Sequence, residues 1–220
     1  MQIHADLTKR AEVNSNQLDW AASPMAGVER RMLERDGEEV ARATSLVRYA
    51  PGSAFSAHAH ELGEEFLVLD GVFSDETGDF AKGMYVRNPP GSSHTPSSEP
   101  GAIILVKLRQ MDPADDTFVR VDTSDAAGWQ DSRAGEKILP LFHSSLEDVT
   151  MCEWAPGAAF DPLPLPGGAE YFVVSGSFSD ESGHYKEGTW LRIPAGTTQT
   201  IRSDAGARIF RKCGHLAPKK

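Results

Sequence analysis

The sequence predicts an all-β protein built from two tandem copies of one small sandwich or barrel, and three observations carry that reading. Segments such as "TSLVRYAPG", "EFLVLDG", "GMYVRNPPG" and "AIILVKLR" are short, rich in Val, Ile, Phe and Tyr, and punctuated by Gly, Pro and Asp, the signature of antiparallel strands joined by tight turns. Residues 50–94 ("APGSAFSAHAHELGEEFLVLDGVFSDETGDFAKGMYVRNPPGSSH") lie over residues 155–199 ("APGAAFDPLPLPGGAEYFVVSGSFSDESGHYKEGTWLRIPAGTTQ") without a gap. Helical periodicity is weak throughout.

The repeat organises the chain. "VNSNQLDW", ending at Trp20, echoes "VDTSDAAGW", ending at Trp129, and "GAIILVKLR" matches "GARIFRKCG". Pro and clustered Asp in "QMDPADD" (110–116) suit a linker, which divides the chain into residues 1–112 and 113–220. The stretch 27–43, "GVERRMLERDGEEVARA", is the one helix candidate. Its apolar positions are too sparse for a helix, and a charged pair of strands turning at Asp36-Gly37 fits better. Prolines at 162, 164 and 166 remove three backbone donors from "DPLPLPGG" and predict an edge or irregular segment.

Charge and cysteine content narrow the functional classes. The net charge of −10 and pI near 5.1 oppose binding to phosphate backbones and anionic lipid. The N-terminal "MQIHADLTKRAEV" has no signal-peptide core and no window reaches a membrane-spanning length, so a cytoplasmic protein is expected. Cys152 and Cys213 stand far apart without a C-x-x-C, which leaves no disulfide framework and no cysteine zinc knuckle. Both read as small buried apolar residues.

Comparison of the two copies separates scaffold from chemistry. Pro51-Gly52, the "FSDE" run 73–76, Gly83, Arg87, Pro89 and Gly91 recur in the second copy as Pro156-Gly157, 178–181, Gly188, Arg192, Pro194 and Gly196. They read as turns and strand ends. Four positions change together: His58 becomes Leu163, His60 becomes Leu165, Glu64 becomes Ala169 and His94 becomes Gln199. Glu65, by contrast, persists as Glu170. Residues at i and i+2 of a strand share a face, so His58 and His60 enter the barrel together; Glu64 follows a Gly63 bend, and His94 comes from the later turn "NPPGSSH". Four inward polar groups without partners are costly to bury, and a cation that takes their lone pairs removes that cost. Tyr85, Arg87, Lys107 and Arg109 are within sequence reach of the same cup. His4, His143, His184 and His215 lack partners at ligand spacing and read as ordinary surface or locally bonded residues.

These residues resemble the two cupin motifs. Gly52, His58, His60, Glu64 and Gly71 meet the first, and Gly83, Pro89, Gly91 and His94 the second, with Ser98 where an Asn is usual. More narrowly, "GEEFLVLDGVFSDETGDF", "YVRNPPGSSHTPSS" and "VKLRQ" are similar to the cupin-like domain of ChrR-type anti-sigma factors, twice over. The resemblance implies two tandem cupin (double-stranded β-helix, jelly-roll) domains. It places one divalent metal on His58, His60, Glu64 and His94, with zinc first and iron, manganese or nickel compatible with the same ligands. It implies a sensory or regulatory role in stress response, in which a small molecule or oxidant meets the first cup and a protein partner reads the change. The helical zinc domain that captures the sigma factor in that family has no counterpart in these residues, so sigma-factor inhibition is not carried over. The other reading of the same cup is an iron- or manganese-dependent oxygenase acting on a small chelating substrate. Exposed barrel edges predict a homodimer.

Overall fold

The computed structural model describes residues 1–38 and 40–217. The chain forms two compact units, one made of Met1–Ala5 and Leu18–Ser124, the other of Asp6–Gln17 and the chain from Asp125 onward. Among the described residues there is no α-helix, only the 3-10 turns Ser15–Gln17 and Ala126–Gly128 between strands, and no helix is long and apolar enough to cross a membrane.

In the first unit the main sheet runs in the order Gln2–Ile3, Val28–Gly37, Ala41–Tyr49, Ala102–Leu108, Glu64–Asp75, Met84–Asn88 and Val119–Asp122, every pairing antiparallel. The second unit repeats this path from its second strand on, through Glu136–His143, Asp148–Trp154, Ala207–Cys213, Ala169–Ser179 and Thr189–Ile193 to Ala11–Asn14, and is headed by Gln130–Arg133, the counterpart of Ala21–Ala22. The charged stretch 27–43 is a hairpin, Val28–Gly37 against Ala41–Tyr49, but Asp36 and Gly37, expected to form its turn, are the last paired residues of the first strand, opposite Arg42 and Ala41. The Pro-rich strand Ala158–Leu165 pairs on one side only, with Thr197–Ser203, and its register shifts between Phe160 and Leu163. Prolines that cannot donate are tolerated at such an edge.

The last strand of each path comes from the other repeat. Val119–Asp122 opens the second copy yet pairs with Met84–Asn88, and Ala11–Asn14 opens the first copy yet pairs with Thr189–Ile193. The repeat boundary near residue 112 and the limits of the compact units therefore differ. Each exchanged strand covers a sheet edge whose amides and carbonyls are otherwise open.

Strand Glu64–Asp75 shapes the barrel. Its first half pairs with Ala102–Leu108 and Met84–Asn88, its second half with Gly78–Ala81 and Ser97–Ser98. The corner falls at Gly71, where φ is +71° and a Cβ would stand 1.9 Å from Gly101 O. Only glycine admits that approach. Inside, Val28, Val47, Tyr49, Phe66, Val68, Phe73, Phe80, Val86 and Ile104 form one core cluster. Phe73 packs edge-on against Tyr49 at 5.4 Å between ring centroids, and burying a ring of this size contributes about 2–3 kcal/mol.

Candidate metal centre

The four residues singled out by the repeat comparison converge. Strand His58–His60 pairs antiparallel with Ser92–His94, which sets His94 directly across from His58. Ala59 faces away and is exposed, as alternation along a strand requires. Gly63, at φ +77°, turns the chain so that Glu64 begins the next strand. One donor atom from each of His58, His60, Glu64 and His94 falls within 4.8 Å of every other. The ring centroids lie 4.5 to 5.1 Å apart.

Every imidazole is held by its outer nitrogen. His58 Nδ1 lies 2.9 Å from Ser56 O, His60 Nδ1 3.0 Å from Ser92 Oγ and His94 Nδ1 3.1 Å from Asp75 Oδ2. The Nε2 atoms of His60 and His94 consequently turn inward, 3.4 and 3.5 Å from Glu64 Oε2. Both are buried and neither makes a hydrogen bond. Two orphaned imidazole nitrogens beside a carboxylate, each ring fixed by a partner on its far nitrogen, are what a ligand set for a divalent cation requires. The residues present fit such an ion, and three imidazoles with one carboxylate suit zinc and several other transition metals.

The electrostatics agree. Burial, reinforced by His94 and His58, pushes the His60 imidazole down to about 3, and burial lowers His94 as well. Both rings are neutral at physiological pH with a lone pair to give. Burial pushes the Glu64 carboxyl up to about 7, against the opposing hydrogen bond from Asn88. A dication at this point would reverse that penalty.

Residues outside the motifs support the set. Asn88 Nδ2 donates to Glu64 Oε2 at 3.3 Å, and Arg120 Nη2 donates to Asn88 Oδ1 at 2.8 Å. Arg120 arrives on the exchanged strand Val119–Asp122. Asp75, read from sequence as turn scaffold, also orients His94. Its equivalent Asp180 accepts from Gln199 Nε2 at 2.9 Å, so a carboxylate kept in both copies carries no sequence signal of its role beside His94. In the second unit Leu163, Leu165 and Ala169 instead join the apolar core.

Several expected neighbours lie elsewhere. Tyr85 and Arg87 bond Glu65 at 2.7 and 3.2 Å, and Lys107 bonds Thr44 at 2.9 Å. These residues share the strand face of Glu65, opposite to Glu64, so alternation takes them away from the cup. Arg109 pairs with Glu61 at 2.6 Å and both line a cavity of about 440 Å³ that reaches His58, His60 and Glu64. His143 and His184 bond Asp148 and Ser179 five residues away, whereas His215, expected at the surface or locally bonded, has a buried side chain that reaches Glu170, 45 residues away in sequence, at 3.1 Å; Cys152 is buried, and Cys213 is partly so.

Two antiparallel jelly-roll units, the first with an inward His3Glu cup, define a tandem cupin protein. Residues 8–112 and again 117–217 match the ChrR cupin-like domain, and the chain belongs to that family. No curated protein matches the chain. Solved structures with the same fold include Ylba from E. coli, with a TM-score of 0.74 at 17% identity over 100% of this chain and 96% of that one. A Cupin 2 conserved barrel domain protein from Leptotrichia buccalis superposes with a TM-score of 0.63 at 13% identity, covering 97% of this chain and 100% of the other. A deletion mutant of Bacillus subtilis oxalate decarboxylase gives 0.62 at 12% identity over 93% of this chain and 76% of that one.

Proposed function

We propose that the first barrel holds one zinc ion on His58, His60, Glu64 and His94 and that this centre serves a sensory role: a small molecule or oxidant enters the adjoining cavity and alters the metal's surroundings. The observation that carries the reading is the pair of buried, unbonded Nε2 atoms of His60 and His94 aimed at the Glu64 carboxylate. Membership of the ChrR cupin-like family supports zinc and a regulatory setting. Zinc has no redox chemistry of its own, which suits a centre whose output is a change of ligation rather than turnover.

The cavity beside the ligands favours a second reading, an iron- or manganese-dependent oxygenase, because a closed four-ligand structural site needs no such space. Elemental analysis of the chain as purified, together with oxygen-uptake assays on enols and diketones, tests both. About one equivalent of zinc, lost in His58→Ala and His94→Ala, with no oxygen uptake, supports the sensor. Bound iron or manganese with steady oxygen consumption supports the oxygenase, and a chain that holds no metal refutes both.

A further inference from the structure

The cavity beside the cup carries a second recognition element. Strand Val28–Gly37 forms one wall, and alternation along it sends Glu29 and Arg31 outward: Glu29 pairs with Arg48, and Arg31 stacks on the Trp20 ring at 4.4 Å. Val28, on the other face, belongs to the core. Arg30 shares that inward face, opposite Val47 in the neighbouring strand, and lines the cavity together with His58, His60 and Glu64. Among the described residues it has no hydrogen bond, ion pair or ring partner, whereas Arg109, the other arginine lining the space, is neutralised by Glu61.

The repeat supplies the control. Val47 corresponds to Cys152, whose cross-strand partner is Ile138, so the second copy has an isoleucine where the first has Arg30. The unpaired arginine of this position is thus absent from the second copy together with the three histidines and the glutamate, and the guanidinium groups of Arg133 and Arg211 in that barrel are neutralised by Glu136. An arginine that only shaped the hairpin has no reason to disappear with the metal ligands. Apart from Ser23 and Tyr49 the rest of the wall is mainly apolar, including Met25, Phe55, Ile104 and Leu108.

We infer that Arg30 binds the carboxylate of a small molecule whose apolar body fills this cavity beside the metal cup. The inference rests on the proposed metal centre and adds the ligand class. A guanidinium meets a carboxylate through two parallel hydrogen bonds, which a lysine or a neutral donor does not reproduce. With a dication on three neutral imidazoles and one carboxylate, Arg30 leaves the cavity net positive, so an anion is favoured over its neutral isostere. The cavity volume of about 440 Å³ lies within the range of ordinary ligand sites.

Isothermal titration of the purified full-length chain with phenylacetate, 3-phenylpropionate and hexanoate, and with the matching primary amides, tests this. The expected result is saturable binding of at least one acid, with its amide about tenfold or more weaker. Arg30→Met should bring the acid to the level of the amide, and Arg30→Lys should recover part of the difference. Equal binding of acid and amide, an Arg30→Met variant that keeps the acid's affinity, or no binding of any acid overturns the inference. Elemental analysis of the same samples separates the two proposals. Acid-over-amide preference in a metal-free chain refutes the metal centre alone, while a metal-bearing chain without that preference refutes the role of Arg30 alone.

Discussion

His94 turns its outer nitrogen toward Asp75, 3.1 Å from Oδ2, and in the second barrel Gln199 gives its amide to Asp180 from the same place at 2.9 Å. The carboxylate is common to both barrels, but only in the first does it orient an imidazole. Asp75→Ala should therefore free the His94 ring and weaken metal binding about 10–100-fold, the range for losing a partner of a ligating histidine. Asp180→Ala should leave it unchanged. Competition against a chromophoric chelator reads both. Equal affinity in the Asp75 variant and the parent would remove Asp75 from the site.

The same pair shows what a difference between repeats can and cannot reveal. His58, His60, Glu64 and His94 were legible because the second copy loses all four at once, and because alternation and the Gly63 bend allow them to meet. Asp75 was not, since a residue kept in both copies is sorted with the scaffold. The hairpin at 28–49 was readable from its sparse apolar positions, although Asp36-Gly37 ends its first strand instead of forming the turn, and the inward direction of Arg30 was not readable. In "VERRMLERD" charges occupy both faces, and the register that decides between them is set by the partner strand. Arg120 and its exchanged strand pair segments far apart in sequence, for which no local pattern exists. Tyr85, Arg87 and Lys107 were within sequence reach of the cup, but strand parity sends them to the opposite face.

The titrations of Glu64 and His60 fix how metal and pH act together. Glu64 rises to about 7 in the fold, above the ordinary value it keeps when unfolded. The unfolded chain ionises first, so the metal-free fold loses stability as pH rises from about 4.5 through 7, by on the order of 3 kcal/mol from this group. His60, lowered to about 3, has the opposite sign: its contribution grows as pH rises from about 3 to 6.5. A cation cancels the Glu64 penalty and competes with its proton below 7, so affinity should fall about tenfold per pH unit there. Thermal melts with and without a chelator should show a metal-dependent gain in Tm that widens from pH 5 to pH 8. A gain that is constant, or largest at pH 5, would contradict this assignment.

Asn88 and Arg120 both hold the Glu64 carboxyl below the value burial alone would give it, Asn88 through its hydrogen bond and Arg120 through its charge. Asn88→Ala should raise that carboxyl further and move the midpoint of metal uptake to higher pH. Arg120→Met should shift it in the same direction, although Arg120 does not touch the ligand itself. Zinc uptake followed across pH in the two variants measures the effect. A midpoint that stays put in Asn88→Ala would show that this contact does not govern Glu64.

Two glycines of the same sequence motif should differ sharply in what they tolerate. Gly52 and Gly71 both adopt positive φ, +72° and +71°. A Cβ on Gly52 meets nothing within 4 Å, whereas one on Gly71 would stand 1.9 Å from the carbonyl oxygen of Gly101. Gly52→Ala should cost only the strain of a left-handed alanine, about 1 kcal/mol. Gly71→Ala must also move backbone at the corner where strand Glu64–Asp75 passes between sheets, and should cost about 3 kcal/mol or more. Gly176 occupies the same corner of the second barrel, 2.1 Å from Gly206 O by the same construction, so Gly176→Ala should be comparably damaging while sparing the metal site. Urea unfolding of the three variants gives the ranking. Similar midpoints for Gly52→Ala and Gly71→Ala would mean that the corner yields, and that close approach to Gly101 is not what holds residue 71 to glycine.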